Sequence, residues 1–306
     1  MRFFGKTNID FMGKRWTLYL ISAAVIVIGM SSFFFKGVDF GIDFRGGTEL
    51  HVQFATPVDV GDVRSSLSKA GFPRAEIKTL GRETDIMIRI VEQDVGSHIV
   101  DQIKAGLQRS FATTGFEVVE VTKIGPKIGA ELRRDALYAV IFSLIAILIY
   151  MGFRFKFIYG VGAVVALFHD VLVTLGLISI CDGISPFLNL EIDQNMVAAV
   201  LTLVGLSVND TVVIFDRVRE NLKIYRSMSF VDVINRSIND TLSRTVITSG
   251  TIFLVLLVLF IFGGDVTRGF AFTLLVGITT GTYSSIYIAS AIVLDWTKRK
   301  EHRTAP

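Results

Sequence analysis

Apolar residues gather in six runs along the chain, at 16–35, 135–153, 157–180, 196–215, 245–262 and 270–296. Each is close to the ~20 residues that an α-helix needs to cross the hydrocarbon of a bilayer. Between 36 and 134 the pattern changes to short strand-like and helix-like stretches separated by turn residues. Residues 49–54 alternate polar and apolar as a strand, and 58–70 read as a helix closed by Gly71 as its C′ residue. Two strands at 76–80 and 85–90 flank Gly81, a second helix covers 95–111, and a last strand covers 116–124. The order βαββαβ is that of the ferredoxin-like split βαβ fold. The fold class is therefore a membrane α-helical bundle of six transmembrane helices, with an extracytoplasmic α+β ferredoxin-like domain between the first two.

This divides the chain into an N-terminus with the first span (1–35), the outside domain (36–134), the remaining spans (135–296) and a basic tail (297–306). Ser229 precedes Asp232 at capping-box spacing, and Phe230, Val233, Ile234, Ser237 and Ile238 share one helical face. A separate amphipathic helix near 229–242, lying along the cytoplasmic membrane surface, is expected from this.

Charge sets the orientation. Arg154 and Lys156 separate the second and third spans, and Arg217, Arg219, Lys223, Arg226 and Arg236 lie between the fourth and fifth. Lys298, Arg299, Lys300 and Arg303 follow the sixth. The alternate loops are poor in basic residues: 181–195 carries only Asp182, Glu191 and Asp193 as charges, and 263–269 has Arg268 alone. The positive-inside rule then puts both termini in the cytoplasm. Arg133 and Arg134 stand at the outer end of the second span, but they close a long translocated segment, and such segments escape the rule. Arg2, Lys6, Lys14 and Arg15 precede a first run longer than the ~7–15 residues of a cleavable signal core, with no small-residue cleavage site after it, so this run is expected to remain as an anchor.

The composition, 51% hydrophobic, changes the picture only because its apolar residues are clustered; that makes the chain an integral membrane protein. The net charge of +3 comes from basic residues at the ends of apolar runs, which sets topology rather than marking a nucleic-acid-binding face. Cys181 is the one cysteine, so an internal disulfide and a multi-cysteine metal site are excluded, while an intermolecular bridge stays open. His51 and His98 lie on different elements and read as ordinary surface residues. No metal or cofactor is expected.

Within the spans a few polar residues stand out. Asp210, beside Asn209, sits in the fourth span about six residues from Asp216 at its cytoplasmic end, or roughly 9 Å. A carboxylate at that depth costs roughly 2.5–3.5 kcal/mol even on lenient scales, so it persists only facing a bundle interior or a wet pathway. Such a group can load and unload a proton as its surroundings change. Ser207, Asp210 and Ile214 share one face. Arg244 opens the fifth span, with Thr248 and Thr251 following on its face, and its long stem could reach Asp210. A basic residue there equally serves as a topology anchor, so both roles stay open. His169 and Asp170 fall near the middle of the third span, either as a proton relay or as an interhelical lock that never titrates in use. Gly277, Gly281 and Ser285 at four-residue spacing allow close helix approach in the sixth. Hydrolysis by facing carboxylates, Asp170 and Asp210, would need a paired geometry for which the sequence offers no signature.

Taken together, the motifs resemble a known family. The run 207–221 is similar to the fourth-span signature of the SecF family of the bacterial Sec export machinery. So are Asp-Phe-Arg-Gly-Gly-Thr at 43–48, Gly-Pro-Lys-Ile-Gly at 125–129, His-Asp-Val at 169–171 and Arg-Thr-Val-Ile-Thr-Ser-Gly-Thr at 244–251, in matching order. The resemblance covers nearly the whole chain. It implies a multi-pass subunit of the bacterial inner membrane that pairs with SecD in a resistance-nodulation-division type complex. That complex acts with the SecYEG channel on preprotein substrates, drawing on an H⁺ or Na⁺ gradient. It implies an ion pathway through Asp210 with Arg244 as companion, flanked by Asn209 and Thr248, and favours their pairing. It also marks Asp43, Gly46 and Gly47 with Gly125, Pro126 and Gly129 as a structural joint. The loop 181–195, with Pro186 and Phe187 inside it, is longer than the family leads one to expect. The competing reading is half of a small-molecule or lipid exporter of the same architecture, although those carry larger outside domains.

Overall fold

The computed structural model describes residues 7–90, 98–184, 188 and 190–304, with the side chains of 265, 266 and 301–304 left aside. Six helical segments in it are long and apolar enough to cross a membrane. The first is α1 (Arg15–Phe35), entered through a short 3₁₀ turn. After the sheet domain come α5 (Pro126–Arg154), α6 (Phe157–Cys181), α7 (Gln194–Ile224) and α8 (Phe230–Phe262). The last span is composite: α9 (Asp265–Ser284), a π-helical turn over Ser285–Ala289 and α10 (Ser290–Thr304).

The helices reach beyond the apolar runs that announce them. Pro126, whose fixed φ suits a first helical position, starts α5 nine residues before the apolar run at 135. The segment 229–242, expected as a separate surface helix, is instead the first part of α8. Its start is as anticipated, Ser229 accepting from the backbone N–H of Asp232, but no proline interrupts 230–262 and the polar turns run straight into the span. Inside the bundle, α6, α7 and the last span are half-buried, while α1, α5 and α8 form an outer layer. Leu137, Ile141, Phe142 and Ile145 of α5 point outward, as side chains facing lipid do.

Small residues set the closest approaches. A Cβ added to Gly29 of α1 would lie 2.7 Å from the Gly176 Cα of α6, so the two backbones touch. Between the parallel helices α7 and α9 the four-residue spacing matches step for step. Gly277 admits the Leu203 side chain, Gly281 lies against Ser207, and Ser285 hydrogen-bonds Thr211 at 2.7 Å. The glycine spacing of the sixth span is thus used for packing.

At the end of the bundle where α1 begins, two asparagines of α8 hold the segment preceding α1 by its main chain. Asn239 accepts from the N–H of Ile9 and donates to its C=O, both at 2.9 Å. One turn earlier, Asn235 Oδ1 accepts from the N–H groups of Phe11 and Met12 at 3.0 Å each.

At the other end lies the small domain: β1 (Gly47–Phe54), α3 (Val60–Lys69), β2 (Glu76–Thr79), β3 (Asp85–Ile90), α4 (His98–Ser110) and β4 (Phe116–Ile124). The expected start of the second helix at 95–97, and Pro186 and Phe187, lie outside the described residues. The sheet is antiparallel throughout in the order β2-β3-β1-β4, which is the ferredoxin-like topology. Strand alternation gives it two different faces. Leu50, Val52 and Phe54 of β1 with Ile86, Ile88 and Ile90 of β3 pack on Val63 and Leu67 of α3 and Ile103 and Leu107 of α4. The residues between them point toward the bundle and are mostly charged. Register aligns Glu76, Arg89 and Glu49 in one cross-strand row, and Lys78, Met87, His51 and Glu120 in the next.

Candidate functional site

Asp210 is 7% exposed, at a junction of α7, α8 and α9. Ser249 Oγ of α8 donates to its Oδ2 at 3.0 Å, and Thr282 Oγ1 of α9 donates to Ser249 at 2.9 Å. Among the described residues no ion pair within 4.0 Å joins Asp210 to Arg244, whose side chain is exposed. The expected pairing is therefore absent from this conformation, for a reason of helical phase. Ser249 follows Arg244 by five positions, about 140° around a helix of 3.6 residues per turn, so the face meeting Asp210 carries Ser249 and turns Arg244 aside. Thr248 is half-buried, and Asn209 is exposed on the outer face of α7.

A second polar cluster sits one turn along α7. Asp170 is 0% exposed; its Oδ2 accepts from Ser207 Oγ of α7 at 2.7 Å and from Ser284 Oγ of α9 at 2.8 Å. Its Oδ1 meets His169 Nδ1 at 3.0 Å. His169 Nε2 contacts Ser22 Oγ of α1 at 3.0 Å, Ser22 contacts Tyr283 OH at 2.9 Å, and Tyr283 donates to the Leu18 carbonyl at 2.7 Å. Hydrogen counting orients this chain. With the Tyr283 proton committed to Leu18, the Ser22 proton goes to Tyr283, and Nε2–H of His169 goes to Ser22. Nδ1 and Oδ1 then need one proton between them, so His169 and Asp170 form a hydrogen-bonded pair with no net charge. The pair ties α1, α6, α7 and α9 together.

The two glycine motifs converge at the base of the sheet domain. Gly46 ends the short helix α2 (Ile42–Arg45) with φ +74°, a conformation that side chains disfavour. A Cβ there would lie 2.9 Å from the Pro126 Cα, and one on Gly129 would lie 3.1 Å from the Gly46 nitrogen. Asp43 reaches the other way, its Oδ2 accepting from the backbone N–H of Gln194 at 3.0 Å, at the start of α7. The joint named from sequence thus brings α2, α5 and the N-terminus of α7 together.

Residues 102–299 match the family described as “Protein export membrane protein SecD/SecF, C-terminal”, and residues 31–58 match the “SecD/SecF GG Motif”. The chain belongs to the SecD/SecF family. Relatives named “Protein translocase subunit SecF” include one from Rhodothermus marinus, 44% identical over 303 residues and covering 99% of this chain and 98% of its own. Another, from Vibrio alginolyticus, is 40% identical over 307 residues, covering 98% of this chain and 93% of its own. The solved structure of SecDF, a translocon-associated membrane protein from the genus Thermus, matches with a TM-score of 0.84 at 38% identity. It covers 96% of this chain, which spans 39% of that longer SecDF chain. Membership of SecD/SecF decides for protein export over the small-molecule exporter of similar architecture.

Sequence reasoning did not select Ser249, Thr282, Ser284, Ser22 or Tyr283. Ser249 lay within the quoted 244–251 motif, and helical phase against Asp210 was the signal available. Nothing in the sequence links Ser22 to His169, 147 positions away.

Proposed function

We propose that this chain is a SecF-type subunit that couples an ion gradient to protein export. It assembles with a SecD-type partner beside a SecYEG channel in a bacterial inner membrane, with both termini in the cytoplasm and the sheet domain outside. The observation that carries this reading is Asp210: an ionisable group buried in a membrane span, held by the Ser249 hydroxyl of α8, which Thr282 of α9 holds in turn, in a family of protein-export subunits. A carboxylate among hydroxyls suits H⁺ or Na⁺, and Asp210 is the proposed binding group.

Asn209 supports a partner on the α7 flank. Its amide is exposed within a span, where lipid offers no hydrogen bond, so a second protein surface is the natural cover. The other part of the longer SecDF chain would supply one. Arg244, exposed and forming no ion pair with Asp210 here, is proposed to join it in another state of the cycle.

Asp210→Asn tests the reading. Asparagine keeps the shape and can accept from Ser249, but cannot titrate. Preprotein uptake into vesicles should lose its gradient-dependent part, under either a pH or a sodium gradient, and keep its ATP-dependent part. Full gradient dependence in an assembled Asp210→Asn complex refutes the proposal.

A further inference from the structure

The charged face of the sheet does not meet the bundle flush. It covers a cavity of about 200 Å³ above the N-terminus of α7. The lining brings Asp43 from α2, Glu49 and His51 from β1, Arg89 from β3 and Glu120 from β4. Glu191 and Asp193 come from the loop before α7, and Arg268 from α9. A volume of this size holds several waters, and a lining this polar supplies their partners.

The junction is built from two kinds of contact. Backbone pairing joins the segment after α1 to the loop before α7, with Gly41 N–H donating to the Ile192 carbonyl at 2.9 Å and Ile192 N–H to the Asp39 carbonyl at 2.8 Å. Ion pairs then grip Glu191: Arg89, itself 2% exposed, at 2.5 Å and Lys78 at 2.6 Å. Arg89 also holds Glu49 at 2.6 Å. Glu191 therefore has its cations. Asp193 is in a different position: its Oδ1 caps α7 by accepting from the Met196 N–H at 2.7 Å, while Asp43 accepts from the first N–H of the same helix, that of Gln194. Two carboxylates thus share one helix end, with Glu191 close by, and no ion pair holds Asp193 among the described residues.

We propose that this cavity is a proton-binding vestibule, in which the Asp193 carboxylate takes up a proton from the sheet side and so fastens the sheet face to the N-terminus of α7. A neutral Asp193 removes its repulsion with Asp43 and Glu191, and the junction closes. An ionised Asp193 restores it.

The energetics agree in sign. Burial, with Asp43 and Glu191 adding to it, pushes the Asp193 carboxyl up to about 6. A group that binds its proton more tightly in the docked junction favours docking most at low pH, below its ordinary value of 3.8, and loses that contribution as pH rises through about 6. The docking equilibrium should change by about a hundredfold across that interval. His51, the histidine of the cavity, is held above its ordinary value by its hydrogen bond to Glu49. It needs its own control.

For export the proposal rests on α7 being the ion-coupled helix, but proton binding is measured without it. In a Cys181→Ser background, spin labels at Ser68→Cys on α3 and Phe262→Cys at the end of α8 report the domain-to-bundle distance. The full chain is reconstituted in lipid nanodiscs and measured from below the ordinary value of 3.8 to above about 6. The expected result is one docked distance at low pH that gives way to a longer or broader one, the change falling between the ordinary value of 3.8 and about 6. Asp193→Asn and Asp193→Ser, both competent caps, should stay docked throughout, while His51→Gln and Asp210→Asn should keep the transition. A wild-type distance that ignores pH overturns the proposal, and so does an unchanged transition in both Asp193 variants. Loss of the transition in His51→Gln, with both Asp193 variants retaining it, assigns the proton to the histidine and also overturns it.

Discussion

Replacing Asp170 separates a lock from a relay. Its carboxylate accepts from Ser207 and Ser284 on Oδ2 and shares a proton with His169 on Oδ1. In Asp170→Asn, the amide oxygen can accept from both serines and the amide N–H can donate to His169 Nδ1. Asparagine therefore reproduces the proton-bearing pair at the same volume, and its cost should stay under about 1 kcal/mol. Asp170→Leu removes all three contacts. Hydrogen bonds between membrane helices average about 0.6 kcal/mol and reach about 1.7, so the loss should be about 2 to 5 kcal/mol. Unfolding of the purified chain in mixed detergent and SDS measures these differences, and vesicle translocation measures coupling. The expected result is a stable, fully coupled Asp170→Asn and a destabilised Asp170→Leu. A well-folded Asp170→Asn that loses gradient-driven translocation would refute the lock, since only a titrating role distinguishes it from the wild type.

Gly46→Val should weaken the joint by more than the ~1–2 kcal/mol of a left-handed backbone, because its Cβ also meets the Pro126 backbone; export should fall while membrane insertion persists, and normal export would exclude a role for the joint. Gly277→Leu should overpack the contact with the fully buried Leu203 and cost about 1–3 kcal/mol in the same unfolding assay. In the Cys181→Ser background, single cysteines at Arg226 and Lys300 should react with impermeant reagents only from the cytoplasm and one at Ser68 only from outside, and the reverse at Arg226 would invert the topology.

The six spans were legible because ~20 apolar residues have few other uses, and the domain because its strands alternate over a short range. Hydropathy did not show how far the helices run on. The first turns of α5 and α8 are polar enough to look like loop or surface helix, and only the lack of a breaker after Pro126 or Ser229 makes them continuous. Asp210 and Asp170 were visible as misfits in apolar runs. Apart from His169, their partners were not, because serine and threonine are unremarkable in a membrane helix until a neighbouring carboxylate gives them a role. The grip on Glu191 was least legible: it joins residues 102 and 113 positions apart, and on a strand Arg89 reads as an ordinary surface charge.

Asn235 and Asn239 hold residues 9–12 mainly through the peptide groups of Ile9, Phe11 and Met12, and Asn235 adds one side-chain contact, its Nδ2 donating to the Asp10 carboxylate at 2.8 Å. The peptide part of that grip is blind to side-chain identity, so the exposed Ile9 can accept almost any replacement without losing a hydrogen bond, whereas Phe11 is also buried in the core against Tyr287. Ile9 has one exception. Proline has no N–H to give, so Ile9→Pro would remove the bond to Asn239 that other changes at this position leave intact, and tolerance to mutation at Ile9 is set by backbone chemistry rather than by hydrophobicity or charge.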